Sequence, residues 1–369
     1  MTRGAEQALP LWGARAGVAE LATHARHLRR VWALPATRLG MARWPASPGD
    51  HLHLRWNYWW QAHLLDCLVD AQDRAPTGVR MGQILALVRG IRVRNFGVWT
   101  NDYYDDIAWL GLALLRAARA VPLDVARPLA EITAQLRAGW TDHGGGGIWW
   151  RRGDTFKNVP ANGPAAILLA RAHLDRADRQ RARSMTEWME RYLVDHETGL
   201  LWDGLYVRPD GAIREVVTIV YTYCQGVYLG ACVELAEDDP GGVWAHRAAR
   251  TIRAVDNYLA VDGVLPGQEG GDGGLFAGIL ARYLAQSALR LPHAEGDLAR
   301  RLVLTSADAA WHNRGVARSG PVFGPEWSRQ AVTPRGMRDQ RPERDLSVQL
   351  SGWMVLEAAA LLERASITE

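Results

Sequence analysis

The chain has 369 residues, 48% of them hydrophobic and 22% charged, which is enough apolar material for a large core and excludes disordered and fibrous classes. Its 43 basic and 40 acidic residues leave a net charge of only +3, with no long block of one sign, so a nucleic-acid partner is not predicted. No segment offers about 18 consecutive apolar residues, so no membrane span is predicted either.

Apolar residues recur at helical spacing from end to end, whereas strand-like stretches are confined to 147–151 and 199–207. These stripes, read together with helix breakers, predict about twelve helices. In chain order they cover residues 11–33, 57–74, 79–93, 103–120, 123–138, 162–176, 178–194, 218–237, 241–260, 275–290, 296–312 and 344–365. The predicted class is therefore all-α.

The joints between these helices are of two kinds. Those near 121–122, 174–178 and 238–242 are short, which is typical of helical hairpins. The long ones hold most of the loop Trp, Gly and Asp residues, as a binding face would; they span 95–102, 141–161, 195–215, 261–274 and 313–344. Because the segment 107–115 is apolar on every face and the helix at 178–194 has a charged face, alternate helices are expected to be inner and outer. Six of each predict an (α/α)6 barrel, formed by residues 1–369 as a single domain.

The N-terminal region and the cysteines bear on cellular location. We interpret the basic stretch Arg26–Arg30 as a solvated helix face, with contact to a membrane surface as the alternative. Charged residues interrupt the apolar pattern near the N-terminus, so no signal peptide is predicted. Besides Cys67, the chain has Cys224 and Cys232, which lie eight residues apart on one predicted helix, too far apart to bridge. We therefore expect a cytoplasmic protein, and a monomer.

Asp105 and Asp106 are the main candidates for catalysis. They follow the segment 99–104 (WTNDYY) and open the apolar helix at the end that faces the long loops. Acidic side chains in a first turn can also serve only the helix dipole. Adjacent residues of a helical turn point about 100° apart, so both carboxyl groups can approach one substrate. Crowding in a partly desolvated site would leave one of them an anion and the other protonated, which suits glycoside cleavage.

The same aspartates are also compatible with metal binding. Asp102, Asp105 and Asp106 form D-x-x-D-D, which is similar to the Mg²⁺-binding aspartates of all-α isoprenoid synthases. Those enzymes need a second metal motif on another helix, and no Asn/Asp-rich helical segment follows downstream. Neither zinc-type Cys/His spacing nor a phosphate-binding Gly-Lys motif is found. We expect no metal and no cofactor.

Aromatic and amide residues around the predicted rim are candidates for binding a sugar. Seventeen tryptophans against four phenylalanines favour flat amphipathic surfaces, and amide side chains pair well with hydroxyl groups. The candidates are Trp56, Tyr104, Trp149, Trp150, Asn158, Asn162, Gln225 and Asp272. A structural role, in packing or helix capping, is the alternative at Asn162, Gln225 and Asp272.

Six segments in order strengthen this interpretation. They are WNYWWQAHLLD (56–66), YYDDIAWLGLALLRA (103–117), GGIWW (146–150), KNVPANGPAAILLA (157–170), YTYCQGVYLGA (221–231) and GDGGLFAGILARYL (271–284). Together they resemble glycoside hydrolase family 76, the endo-α-1,6-mannanases, over residues 55–355. The resemblance implies an (α/α)6 barrel, a mannan or manno-oligosaccharide substrate, no metal, and a retaining mechanism through a mannosyl-enzyme ester. Asp105 would be the nucleophile and Asp106 the general acid/base.

Three other readings remain open at this level. A transglycosylase would share the ester and differ only in the acceptor. A non-catalytic carbohydrate-binding protein could keep the same barrel, although nothing in it would require both aspartates. A sugar epimerase would depend on catalytic histidines at the mouth, and the eleven histidines show no convergent pattern.

Overall fold

The structure, a computed structural model, describes residues 11–172, 174–238, 240, 242–291 and 293–368. Its helices are α1 Leu11–His27, α2 Pro48–His51, α3 Tyr58–Arg74, α4 Gly78–Arg94, α5 Tyr104–Ala120, α6 Ala126–Ala138, α7 Val159–Ala172, α8 Asp178–Leu193, α9 Thr222–Leu235, α10 Val243–Tyr258, α11 Phe276–Ala288, α12 His293–His312 and α13 Leu346–Thr368. Each predicted helix overlaps one of these, and the all-α prediction is confirmed. Of the short joint predicted at 238–242, positions 239 and 241 lie outside the described residues.

Six helices form an inner ring. Helices α3, α5, α7, α9, α11 and α13 contact one another in that order, and α13 returns to α3. Helices α4, α6, α8, α10 and α12 each pack outside the inner helix that precedes them, and α1 packs on α13. The inner helices are covered on all sides, and along α9 every residue except Tyr223 is buried. This arrangement confirms the predicted (α/α)6 barrel.

The first helix is shorter than predicted because a tertiary contact ends it. The backbone N–H of Met41 donates to the carbonyl of His27, and the His27 ring lies 2.9 Å from the Met41 carbonyl. The chain then forms β1 Leu28–Arg29, which pairs with β2 Leu39–Gly40. The prediction of a solvated face at 26–30 is wrong for Arg26, which is 1% exposed and donates to the carbonyl of Pro321.

A small sheet covers part of the rim at the N-terminal ends of the inner helices. Strand β4 Gly204–Val207 lies between β3 Phe156–Asn158 and β5 Ile213–Val217, all antiparallel. The strand-like stretch predicted at 199–207 thus contains a strand, whereas 147–151 forms only isolated bridges. Further along the chain, β6 Gly315–Ala317 pairs with β7 Gly320–Val322.

Four inner helices carry the same device near their first turn. A buried amide side chain accepts a hydrogen bond from one backbone N–H of the preceding long connection and donates to the carbonyl of the same residue. The pairs are Gln61 with Gly40, Asn162 with Ile148, Gln225 with Leu201 and Gln349 with Phe323, and all eight bonds measure 2.8–3.1 Å. We call these residues the amide clamps. They fix the long connections on the rim where they surround the barrel mouth.

In the part of the chain that the structure describes, no helix combines the length and apolar content needed to cross a bilayer.

Candidate active site

The long connections and the N-terminal ends of the inner helices enclose a cleft of about 700 Å³. Its aromatic walls are Trp59, Trp109, Trp150, Phe156, Tyr206, Tyr221, Tyr223 and Phe276. Its polar lining comprises Asp105, Asn158, Asp203, Gln268, Glu269 and Asp272. Flat aromatic faces combined with a few acid and amide groups form a surface suited to sugar rings.

Asp105 and Asp106 lie in the first turn of α5, held by different donors. Asp105 accepts two hydrogen bonds, from the backbone N–H of Asp106 (2.8 Å) and from Nε1 of Trp150 (2.9 Å). Asp106 accepts one, from Nδ2 of Asn101 (2.6 Å). The side-chain oxygen of Asn101 in turn accepts a hydrogen bond from the backbone N–H of Tyr103, the N-cap residue of α5. Asp105 lines the cleft, and Asp106 is fixed beside it.

The two carboxyl groups differ in their affinity for protons. Burial raises the pKa of Asp105 to about 7, and the nearby charge of Asp272 acts in the same direction. Burial, followed by the charge of Asp105, raises the pKa of Asp106 well above its usual range. The two N–H donors on Asp105 favour its anion. At neutral pH the pair is therefore arranged to hold its negative charge on Asp105 and its proton on Asp106.

Trp150 is positioned by a glycine-rich loop wrapped around a lysine. Nζ of Lys157, which is fully buried, donates to the hydroxyl and carbonyl of Thr141 and to the carbonyls of residues 143, 146 and 147, at 2.6–2.9 Å. The four glycines 144–147 all have positive φ, between 63° and 125°, which turns their backbone in a way that other residues rarely adopt. The glycine run at 144–147 is therefore held in one conformation around the Lys157 ammonium group, a role of Lys157 that sequence reasoning missed.

Asp272 lies where the cleft meets a second cavity. One of its carboxylate oxygens accepts from the indole N–H of both Trp59 (3.0 Å) and Trp60 (2.8 Å). The second cavity, of about 510 Å³, is lined by Asp272 together with Leu54, Arg55, Trp60 and residues of the loops at 42–57 and 337–345. Asp272 is therefore a wall residue of both cavities.

Of the eight residues predicted to contact substrate, Trp150, Asn158 and Asp272 line the cleft. Asn158 also caps α7, since its side-chain oxygen accepts from the backbone N–H of Ala161 (3.2 Å). Asn162 and Gln225 do not reach the cleft, because they are amide clamps whose polar atoms are used by backbone groups.

The remaining three predicted contacts pack elsewhere. The Tyr104 ring lies against Gly139, so closely that a Cβ there would come within 2.6 Å of it. Trp149 covers the Lys157 ammonium group at 4.5 Å, and Trp56 packs edge-on against Tyr58. None of these three side chains lines the cleft, and their contact with substrate stays a prediction.

Asp203 is a cleft residue that sequence reasoning missed. Its backbone is fixed by hydrogen bonds to Ile219 and Val159, both of 2.8 Å. Its carboxyl group lines the cleft and makes no hydrogen bond or ion pair with any other described residue, and burial raises its pKa to about 7. Its place after Trp202 in a long connection was the available signal.

Among the residues that the structure describes, no group of three or more His, Cys, Asp or Glu side chains is arranged to hold a metal ion.

Comparison with known proteins gives consistent matches. The model of glycosyl hydrolase family 76 matches residues 35–368. An α-1,6-mannanase from Salegentibacter sp. HEL1_6 is 33% identical over 95% of this chain and 99% of its own, with a TM-score of 0.83. An inactive variant of that enzyme, with two consecutive aspartates replaced by asparagine, was solved with α-1,6-mannotriose and is similar at 32% identity, the same coverage and a TM-score of 0.82.

The Lin0763 protein from Listeria innocua is 27% identical over 96% of this chain and 98% of its own, with a TM-score of 0.82. Among curated proteins, none matches the chain at a significant level.

Proposed function

Since the chain belongs to glycosyl hydrolase family 76, we propose that this glycoside hydrolase cleaves α-1,6-mannosidic bonds within mannan or manno-oligosaccharide chains, with retention at the anomeric carbon. The observation that carries the proposal is the adjacent pair Asp105 and Asp106, placed in the first turn of an inner helix at an aromatic cleft. The Salegentibacter variant that lost two consecutive aspartates and was solved with α-1,6-mannotriose supports the assignment of substrate and pair together.

In the first step, a carboxylate oxygen of Asp105 attacks the anomeric carbon while Asp106 gives its proton to the glycosidic oxygen. The C–O bond to the leaving chain breaks, the leaving chain departs with a new hydroxyl group, and a mannosyl ester with Asp105 remains. The hydrogen-bonding pattern supports this division, because Asp105 has the two donors that stabilise an anion and Asp106 has the more strongly raised pKa.

In the second step, Asp106, now a carboxylate, takes a proton from water. The hydroxide attacks the anomeric carbon, the ester bond breaks, and Asp105 leaves as the carboxylate. Two inversions give net retention, and both carboxyl groups return to their starting protonation states.

The remaining cleft groups bind and orient the sugar. The aromatic walls offer faces for pyranose rings, including the stacked pair Tyr223 and Phe276, whose ring centroids lie 3.8 Å apart. The carboxyl group of Asp203, without a protein partner among the described residues, is placed to accept hydrogen bonds from sugar hydroxyls. The second cavity, which shares Asp272 with the cleft, offers room for further units of the sugar chain, which favours cleavage at internal bonds.

The test is hydrolysis of α-1,6-mannotetraose, with the anomeric configuration of the first product followed by NMR. We expect an α-product from the wild type, and at least a thousandfold loss in Asp105→Asn and Asp106→Asn. Asp203→Asn should mainly raise KM, since it removes a binding group and leaves the pair intact. Binding without cleavage by the wild type would contradict the proposal, and a β-product would exclude retention. Products longer than the substrate would identify a sugar as the acceptor.

Location and assembly complete the proposal. The three cysteines are free and buried, which supports a cytoplasmic enzyme, and we propose that it acts as a monomer. Cell fractionation and light scattering on the purified protein test the two statements separately.

A further inference from the structure

Two neighbouring segments of the rim present large apolar side chains to solvent. They are residues 28–57, between α1 and α3, and residues 89–99, at the end of α4 and beyond; we call them together the basic lobe. Their exposed apolar side chains are Trp32, Leu34, Leu52, Leu54, Phe96 and Val98, and Phe96 is 80% exposed. Nε1 of Trp32 donates to the Leu52 carbonyl (3.0 Å), and the rings of Trp32 and Phe96 lie 6.4 Å apart, so the segments form one surface.

The backbone of the basic lobe is strained where these side chains project. Trp32, Ala33, His53 and Phe96 have φ between 46° and 62°, a left-handed conformation that costs residues other than glycine about 1 kcal/mol or more each. At Trp32 and Phe96 the strained residue itself is an exposed aromatic. Such strain persists where the surrounding structure imposes it, and it marks functional surfaces more often than passive ones.

The charge of the basic lobe is almost entirely positive. It contains eight arginines, at positions 29, 30, 38, 43, 55, 89, 92 and 94, and a single acid, Asp50. Asp50 is buried in a helix cap with Ser47, and in the described part of the chain only Arg43 among the eight arginines has an ion-pair partner. Since the whole chain is almost balanced, this positive field is local to the lobe.

Arginine and the aromatic residues are also directly combined. The guanidinium of Arg94 lies 5.8 Å from the ring centroids of both Trp32 and Phe96, and its Nε donates to the carbonyl of His53 (2.9 Å). Aromatic and aliphatic tips surrounded by arginine are the combination with which peripheral proteins bind anionic bilayers: apolar groups enter between lipids while guanidinium groups meet phosphates.

We propose that the basic lobe is a membrane-docking surface that binds anionic phospholipid bilayers. A lipid surface fits because the exposed apolar side chains occur together with arginines that, apart from Arg43, have no ion-pair partner among the described residues, and lipid phosphates would supply that partner. Leu54 and Arg55 also line the second cavity, which shares the wall residue Asp272 with the cleft. If the proposed function holds, the substrate that docking would bring to the cleft is an α-mannoside attached to the membrane.

The test is co-sedimentation of the purified protein with vesicles of equal parts phosphatidylglycerol and phosphatidylcholine, and with vesicles of phosphatidylcholine alone. We expect binding to the anionic vesicles only. The double variant Arg30→Gln/Arg92→Gln should bind about 25-fold more weakly, at about fivefold per arginine, and Phe96→Ser about tenfold more weakly. Val79→Ser is the matched control, because Val79 is 76% exposed and lies at the opposite end of α4.

All of these variants should hydrolyse soluble α-1,6-mannotetraose at the wild-type rate. With anionic vesicles that carry an α-1,6-mannotriose on a lipid tail, the basic-lobe variants should be slower than the wild type and the control. Failure of the wild type to bind anionic vesicles, or an equal loss in Val79→Ser, would overturn the proposal and leave an acidic protein as the alternative ligand. Vesicle binding by a protein that does not cleave mannotetraose would overturn the proposed function and leave the docking surface standing.

Discussion

Replacing Trp150 by phenylalanine tests how the fold sets the ionisation of Asp105. The change keeps an aromatic ring in the cleft wall and removes the Nε1–H donor that lies 2.9 Å from the carboxylate of Asp105. A hydrogen bond to a charged group contributes about 1.5–3 kcal/mol. Because water from the cleft can replace part of it, we use the lower value. At 1.36 kcal/mol per pKa unit, the pKa of Asp105 should rise from about 7 to about 8.

The assay is kcat/KM for α-1,6-mannotetraose as a function of pH. The nucleophile must be ionised, so the acid limb of the profile should move upward by about one pH unit. At pH 6 this means about a tenfold loss, which shrinks steadily toward pH 8. Trp149→Phe is the control, because it is the same change one residue away, at a side chain that does not line the cleft. An unmoved acid limb in Trp150→Phe, or a loss of the same size at every pH, would refute the reasoning.

Three further predictions concern stability, each read from urea unfolding. Asp105→Asn should raise the free energy of unfolding by about 4 kcal/mol at pH 8 and by little at pH 4, because burial raises the pKa of Asp105 from 3.8 to about 7 and wild-type stability is lost as pH rises through that range. Asp106→Asn should act in the same direction, because burial also raises the pKa of Asp106. A variant no more stable than the wild type at pH 8 would contradict this. Gly90→Ala should lower the free energy of unfolding by about 3 kcal/mol, because the added Cβ would lie 1.9 Å from a backbone carbonyl oxygen. Gly82→Ala, in the same helix, should raise it by about 1 kcal/mol, because no atom lies within 4 Å of the added Cβ. Equal effects of the two variants would show that helix propensity alone decides. Lys157→Met should lower the free energy of unfolding by about 3 kcal/mol or more, because it leaves several buried carbonyls unpaired. It should also reduce activity, because the same loop holds Trp150. Unchanged stability would mean that water pairs with these carbonyls.

Local pattern was enough to predict the helices and the ring. An inner helix is buried on all sides and an outer helix on one, so the two differ in sequence before any contact is known, as the segment 107–115 and the charged helix α8 do. The pair Asp105 and Asp106 could also be found locally, because both lie in the first turn of an apolar helix next to aromatic residues. The six segments that resemble family 76 then agreed with the family match over residues 35–368.

Tertiary structure decided what each polar side chain does. An amide side chain can pair equally well with a sugar hydroxyl or with a backbone group. Asn162 and Gln225 pair with backbone groups that lie 14 and 24 residues earlier in the chain. Likewise, α1 ends at His27 because its carbonyl accepts from the backbone N–H of Met41, which directly follows β2.

The sequence by itself therefore determined the barrel and located the carboxylate pair, since both depend on periodicity and on residues next to each other in the chain. Only the tertiary structure set Trp150 against Asp105 from 45 residues away, enclosed Lys157 in carbonyl groups, and brought Asp203 to the cleft without a partner. Ionisation and ligand contact depend on which groups surround a side chain in space, and the packing of distant segments decides that.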